Sequence, residues 1–148
     1  LTIPDMPPAQ SLRRRIFEII EVGRGDRAVS RMFDVMIMTL ILLHLYEDRK
    51  MRGDVIQTIC GTYLIEKICK KYGLKMHETQ VGFKYICDLM LKEDILIGGE
   101  ETGGVAFKNS IPERDGILSG LLILEMMAAR KKNILDILNA GDKEYGTY

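Results

Sequence analysis

The residues of this 148-residue chain best suited to chemistry lie together in GEETGG, Gly99 to Gly104. Glycines on both sides let backbone approach a ligand closely, while Glu100, Glu101 and Thr102 offer carboxylate acceptors and a hydroxyl suited to vicinal alcohols. The spacing is neither GxGxxG nor GxxxxGK[ST], so the loop lacks the pattern of a nucleotide-phosphate cradle. An exposed hairpin turn is the competing reading, and on these six residues alone it is the preferred one. The two histidines, His44 and His77, stand far apart, and neither neighbours a candidate nucleophile. A histidine triad or metal site is therefore not expected. Asp48, Asp54, Asp94 and Asp115 are scattered singly and predict no metal cluster.

The elements that must position this loop follow from periodicity. VIQTI, Val55 to Ile59, is a short β-branched run, followed by a helix over residues 62–72 with Leu64, Ile65, Ile68 and Cys69 inward and Gly73 as its stop. Leu74 to Thr79 alternates like a half-exposed strand. Phe83 to Glu93 reads as a helix with Phe83, Ile86, Cys87, Met90 and Leu91 inward. ILIGG, from Ile95, is a fully buried strand running into the glycine loop, and Gly104 to Lys108 is a short strand leaving it. A strong helix follows over residues 117–131, then a short one over 133–138, then a polar tail, GDKEYGTY, expected to fray. This βαβα order predicts an α/β fold, a mixed sheet of about four strands with helices on its faces. It is mixed because Gly99 to Lys108 is too short for a crossover. Ligands of such sheets gather at the loops leaving strand ends, where GEETGG sits.

Ahead of this unit, residues 1–10 hold three prolines and predict an irregular arm, and residues 11–43 a helical extension. Ser11 can cap a helix carrying Leu12, Ile16, Ile19 and Ile20, and a second helix runs on to about Lys50. The apolar run Phe33 to Leu45 is 13 residues long. A membrane span needs about 20, so the run reads as a buried or partner-facing helix and a membrane partner is disfavoured. The 21 basic and 21 acidic residues balance and suggest no nucleic-acid partner; the arginines at 13, 14, 15, 24, 27 and 31 read as a solvated face. Cys60, Cys69 and Cys87 lack CxxC spacing and are expected to be reduced, buried and cytoplasmic. The first residues show neither an initiating Met nor a signal-peptide pattern, and the chain is read as starting within a longer gene.

From Leu42 to Tyr148 the sequence resembles the third, sugar-binding domain of the α-D-phosphohexomutases, the phosphoglucomutase and phosphomannomutase family. ETQVGFKYI, GGEETGG and SIPERDGIL stand in the order and at the distances of that family's ETPVGFKYI, GGEESGG and HIPERDGIL. The resemblance implies that Glu100 and Thr102 bind hexose hydroxyls, within a loop built on Gly99, Gly103 and Gly104. It implies contacts from Val81, Gly82 and Phe83, with Lys84 as a nearby cation, and it aligns Arg114 with a basic residue that meets the phosphosugar. Thr102 for serine keeps the hydroxyl and adds a methyl group that restricts the rotamer. Gln80 replaces a usual proline. Gly61 stands where serine or threonine is usual, which predicts a loosened helix start through loss of a cap.

The family moves phosphate between the 1 and 6 positions of a hexose through a phosphoserine. The resemblance implies a TASHN-like serine loop, a DxDxDR loop holding Mg²⁺ and a late basic loop, and none of these is in this sequence. The implied partners are a hexose phosphate and the remaining phosphohexomutase domains. No catalytic residue, metal ligand or cofactor is assigned to this chain itself, and it is expected to recognise sugar without turning it over. Residues 13–43 resemble instead the opening of a prokaryotic voltage-gated ion channel, with a seam near Leu42 to Leu45 that suggests a fused or misassembled frame. A membrane-associated channel-like piece, or a nonfunctional fusion, is the alternative function.

Overall fold

The computed structural model describes residues 36–145. The arm over residues 1–10 and most of the expected extension, residues 11–35, lie outside the described residues. A helix over residues 36–43, α1, widens at its end into a π-helical turn, His44–Asp48. Then come β1 (Asp54–Thr58), α2 (Tyr63–Tyr72), β2 (Met76–Thr79), α3 (Phe83–Met90), β3 (Ile95–Gly99), β4 (Val105–Phe107), α4 (Gly116–Arg130) and α5 (Ile134–Tyr145).

The expected α/β class and mixed four-stranded sheet are present, in the order β2-β1-β3-β4. β1 pairs parallel with β2 and β3, and β4 returns antiparallel on β3 with Ile97 opposite Phe107 and Gly99 opposite Val105. β1 and β3 are buried almost throughout, as strands covered on both faces must be. One face contributes Val55, Ile97, Val105 and Phe107 to a core shared with α1 and α2. The other places Ile56 and Ala106 against Phe83 and Ile86 of α3.

The composition of α1 now has a cause. Met38, Ile41, Leu42 and Leu43 face the sheet core, while Leu40 packs on Met126 of α4 and Ile137 of α5. A helix sandwiched between layers is apolar all round without entering a membrane. Among the described residues no helix is long and apolar enough to cross one. The helix also runs unbroken through the expected seam, with Leu42, Leu43 and Leu45 all in the core.

Four local expectations are corrected. α3 ends at Met90, so Leu91 falls on its C-cap and is 72% exposed rather than inward. α5 continues through the polar tail to Tyr145, because that end is anchored: Lys71 Nζ meets Tyr145 Oη at 3.0 Å, and Tyr145 is packed against the core. The start of α2 is not loosened by Gly61. Thr62 is the N-cap, accepting from the Leu64 amide at 3.1 Å, and the Gln57 side chain fills the space a residue-61 side chain would take. Cys60 is exposed, unlike Cys69, which is buried, and Cys87, which is partly so; all three are free thiols.

Candidate functional site

β1, β2 and β3 run parallel, so their last residues, Thr58, Thr79 and Gly99, share one edge of the sheet. β4 is antiparallel, and its first residue, Val105, returns to that edge opposite Gly99. GEETGG is the hairpin between β3 and β4. The Glu100 amide donates to Gly104 O at 2.9 Å, and the Gly103 amide donates to Glu100 O at 3.2 Å. Gly103 has φ +82°, a conformation that favours glycine and lets so short a loop reverse the chain.

The segment before α4 is sewn to the same hairpin. The Asp115 amide donates to Val105 O at 3.0 Å, and the Asp115 carboxylate caps α4 by accepting from the Leu118 amide at 2.8 Å. Arg114 is thereby laid over the loop. Its Nη1 lies 3.6 Å from Glu100 Oε2, and its guanidinium stands 5.0 Å from the centre of the Phe83 ring. Glu100 is the withdrawn partner, with its side chain 8% exposed, while Arg114 is more than half exposed. Arg114 also holds Glu113: its amide and then its guanidinium stabilise the Glu113 carboxylate and keep it below the usual range. An arginine over an aromatic face beside a recessed carboxylate can present both a cation and an acceptor to one ligand.

Gly82 begins α3 at this edge without a side-chain cap; the Tyr85 amide donates back to Gly82 O at 3.1 Å, which leaves the Phe83 and Lys84 amides toward the positive end of the helix. Phe83 is buried in the core with only its ring face under Arg114. Val81 is 52% exposed at the rim. Lys84 is exposed and lies over the Tyr85 ring at 4.7 Å. Thr102 is exposed at the hairpin tip. Thus Glu100, Gly104, Phe83 and Arg114 are brought into contact, whereas Val81 and Lys84 border the group.

One contact was invisible in the sequence. Thr58, fully buried at the end of β1, donates its hydroxyl to Glu101 Oε2 at 2.7 Å across 43 positions. Only the strand order puts these residues together, and no local pattern signals it. Among the described residues no group of three or more His, Cys, Asp or Glu could hold a metal ion. The described residues therefore present no carboxylate cluster of the kind that holds Mg²⁺.

With this geometry in view, comparison with known proteins identifies the unit. The family described as phosphoglucomutase/phosphomannomutase, alpha/beta/alpha domain III, matches residues 35–145. The chain belongs to that family. A phosphoglucosamine mutase of Pseudoalteromonas translucida is 29% identical over 139 residues, covering 86% of this chain and 31% of the relative. Another, from Lactiplantibacillus plantarum, is 31% identical over 122 residues, covering 78% and 27%. Among solved structures, a Thermus thermophilus protein assigned as a phosphomannomutase is 37% identical with a TM-score of 0.68, covering 76% of this chain and 25% of that one. The open form of parafusin, a phosphoglucomutase from Paramecium, has a TM-score of 0.64 at 24% identity, covering 77% and 21%, and shares the fold. The chain thus spans about a fifth to a third of the length of the curated relatives it matches.

These comparisons give the channel resemblance no support. The domain III family begins at residue 35, inside the stretch that resembled a channel, and the Pseudoalteromonas relative covers more of the chain than residues 42–148 contain.

Proposed function

We propose that this chain is the hexose-phosphate-recognising unit of a phosphohexomutase, an enzyme class that interconverts hexose 1- and 6-phosphates. Glu100 accepts from ring hydroxyls and Thr102 exchanges hydrogen bonds with them, within the loop of Gly99, Gly103 and Gly104. Arg114 meets the phosphate or an electronegative ring edge. Val81, Gly82 and Phe83 line the approach, and Lys84 adds a positive charge at its border. The observation that carries this reading is the recessed Glu100 carboxylate facing Arg114 at the carboxyl edge of the sheet. Family membership supports it. The relatives named as phosphoglucosamine mutases, with the family described as phosphoglucomutase/phosphomannomutase, support glucosamine, glucose and mannose phosphates as the candidate sugars.

In this reading the chain contributes recognition, and phosphoryl transfer belongs to other domains of the same enzyme class, which are its natural partners. Transfer depends on positioned charge around the moving phosphoryl group. In a complete enzyme of this class that charge would come from an Mg²⁺ ion and a phosphoserine loop, and among the described residues no group of three or more His, Cys, Asp or Glu could hold such an ion. Calorimetric titration with hexose 1-phosphates tests the role of the loop. Glu100→Ala is expected to weaken binding at least tenfold, since a charge-assisted hydrogen bond contributes about 1.5–3 kcal/mol. Equal affinity in the variant and the parent would refute it.

A further inference from the structure

The Thr58–Glu101 bond joins the most fixed part of the sheet to the residue between the two proposed sugar ligands. β1 is paired on both sides, with Thr58 opposite Thr79 of β2, so backbone rather than the loop sets where the Thr58 hydroxyl points. The last β1–β3 pair is Gln57 with Gly99, which leaves Thr58 as the first β1 residue beyond it, facing the hairpin. Its hydroxyl is buried and donates to a carboxylate, the stronger kind of hydrogen bond. At the neighbouring loop residue Arg114 faces Glu100. The loop is therefore held at two adjacent residues, by β1 through Glu101 and by the segment before α4 through Glu100.

A loop flanked by glycines has many conformations open to it, and a ligand that must select one loses affinity in proportion. We infer that Thr58 is a positioning residue: through Glu101 it fixes the hairpin so that Glu100 and Thr102 are preset for a hexose, while Glu101 itself serves as the strap and not as a sugar ligand. This rests on the proposed reading of the loop as a hexose grip. The mechanical half of it, that Thr58 orders the hairpin, can be measured without any sugar.

Thr58→Val keeps the shape and removes the donor, whereas Thr58→Ser keeps the donor. Glu101→Ala breaks the same bond from the solvent side and keeps the test alive if the buried substitution fails to fold. Two readouts apply to each variant: hydrogen exchange at the Glu100 and Gly103 amides, whose acceptors lie within the hairpin, and affinity for glucosamine 1-phosphate, glucose 1-phosphate and mannose 1-phosphate. Thr58→Val and Glu101→Ala are expected to speed exchange at both amides several-fold and weaken binding about tenfold. Thr58→Ser should restore both, and the Thr58→Val/Glu101→Ala pair should be no worse than either single change. Unchanged exchange in Thr58→Val and Glu101→Ala, equal losses in Thr58→Ser and Thr58→Val, or additive losses in the pair would overturn the inference. If the parent chain binds none of the sugars, the hexose-grip reading fails, and exchange at the two amides still decides whether Thr58 orders the loop.

Discussion

Arg114 reaches within 3.6 Å of Glu100 because residue 104 has no side chain. A Cβ on Gly104 would stand 2.6 Å from Arg114 Cδ and 3.0 Å from Cγ, both far inside van der Waals contact. The glycine at the end of the loop is in this sense a seat for the arginine. Gly104→Ala is expected to lift Arg114 off the loop and weaken hexose-phosphate binding several-fold. Because Arg114 is largely exposed and can swing outward, stability should fall by less than about 1 kcal/mol. Denaturant melts beside a ligand titration check this; a large loss of stability with intact binding would contradict it.

Two neighbouring glycines should respond differently to alanine. At Gly98 a Cβ would meet Ile86 Cγ2 at 2.6 Å, and a β-branched side chain locked between α3 and the sheet has nowhere to turn. At Gly99 it would meet Met38 Sδ at the same distance, and methionine is unbranched and adaptable. Gly98→Ala is expected to cost about 1–3 kcal/mol and Gly99→Ala distinctly less. Urea denaturation of the two variants decides it, and the reverse order would show that α3 yields more readily than α1.

Acid should loosen the join between the end of α1 and α4. Burial alone would raise the Asp48 pKa, but hydrogen bonds from Arg130 and His44 outweigh it and hold the carboxyl below its ordinary value. Arg130 Nε donates to Asp48 Oδ2 at 2.8 Å and its Nη2 lies 3.1 Å from Glu47, while His44 Nδ1 is 2.8 Å from the same Asp48 oxygen. A carboxylate with a depressed folded pKa contributes stability that is present above its unfolded pKa and lost as pH falls through the folded one. Unfolding free energy should therefore decline as pH drops below the ordinary aspartate range. Asp48→Asn should be less stable at neutral pH and show a flatter decline. An identical acid slope in the variant would remove Asp48 from the account.

How much of this was readable beforehand depends on how far apart the partners are in the chain. β1, β3 and the hairpin were legible because their signals are local: a β-branched run, a buried run into glycines, and a return too short for a crossover. Leu91 was misplaced because helical spacing continues past Met90, whereas the backbone does not. The polar tail looked unsupported since its anchor, Lys71 with Tyr145, spans 74 positions. Thr58 with Glu101 and Asp48 with Arg130 are hidden for the same reason, being products of strand order and helix packing. Gly61 is the instructive case. A missing cap is expected from Gly61, but the helix is capped one residue on by Thr62, and the Gln57 side chain fills the space beside Gly61.

Thiol reactivity should follow burial. Burial, with the neighbouring Glu66, pushes the Cys69 thiol up to about 11, and burial also raises Cys87, while Cys60 is exposed on the loop after β1. Only thiolate reacts readily. Iodoacetamide near pH 8 should label Cys60 first and reach Cys69 only on unfolding, as peptide mass mapping would read. Early labelling of Cys69 in the folded chain would contradict its place in the core.

The central claim, that GEETGG grips the ring of a hexose phosphate, is tested most directly by following backbone amides while titrating hexose 1-phosphate and, separately, inorganic phosphate. The amides of Glu100, Thr102 and Gly103 should shift with the sugar phosphate and stay still with phosphate alone, while Arg114 responds to both. No movement of the loop amides at millimolar hexose 1-phosphate, or the same movement with inorganic phosphate, would contradict it.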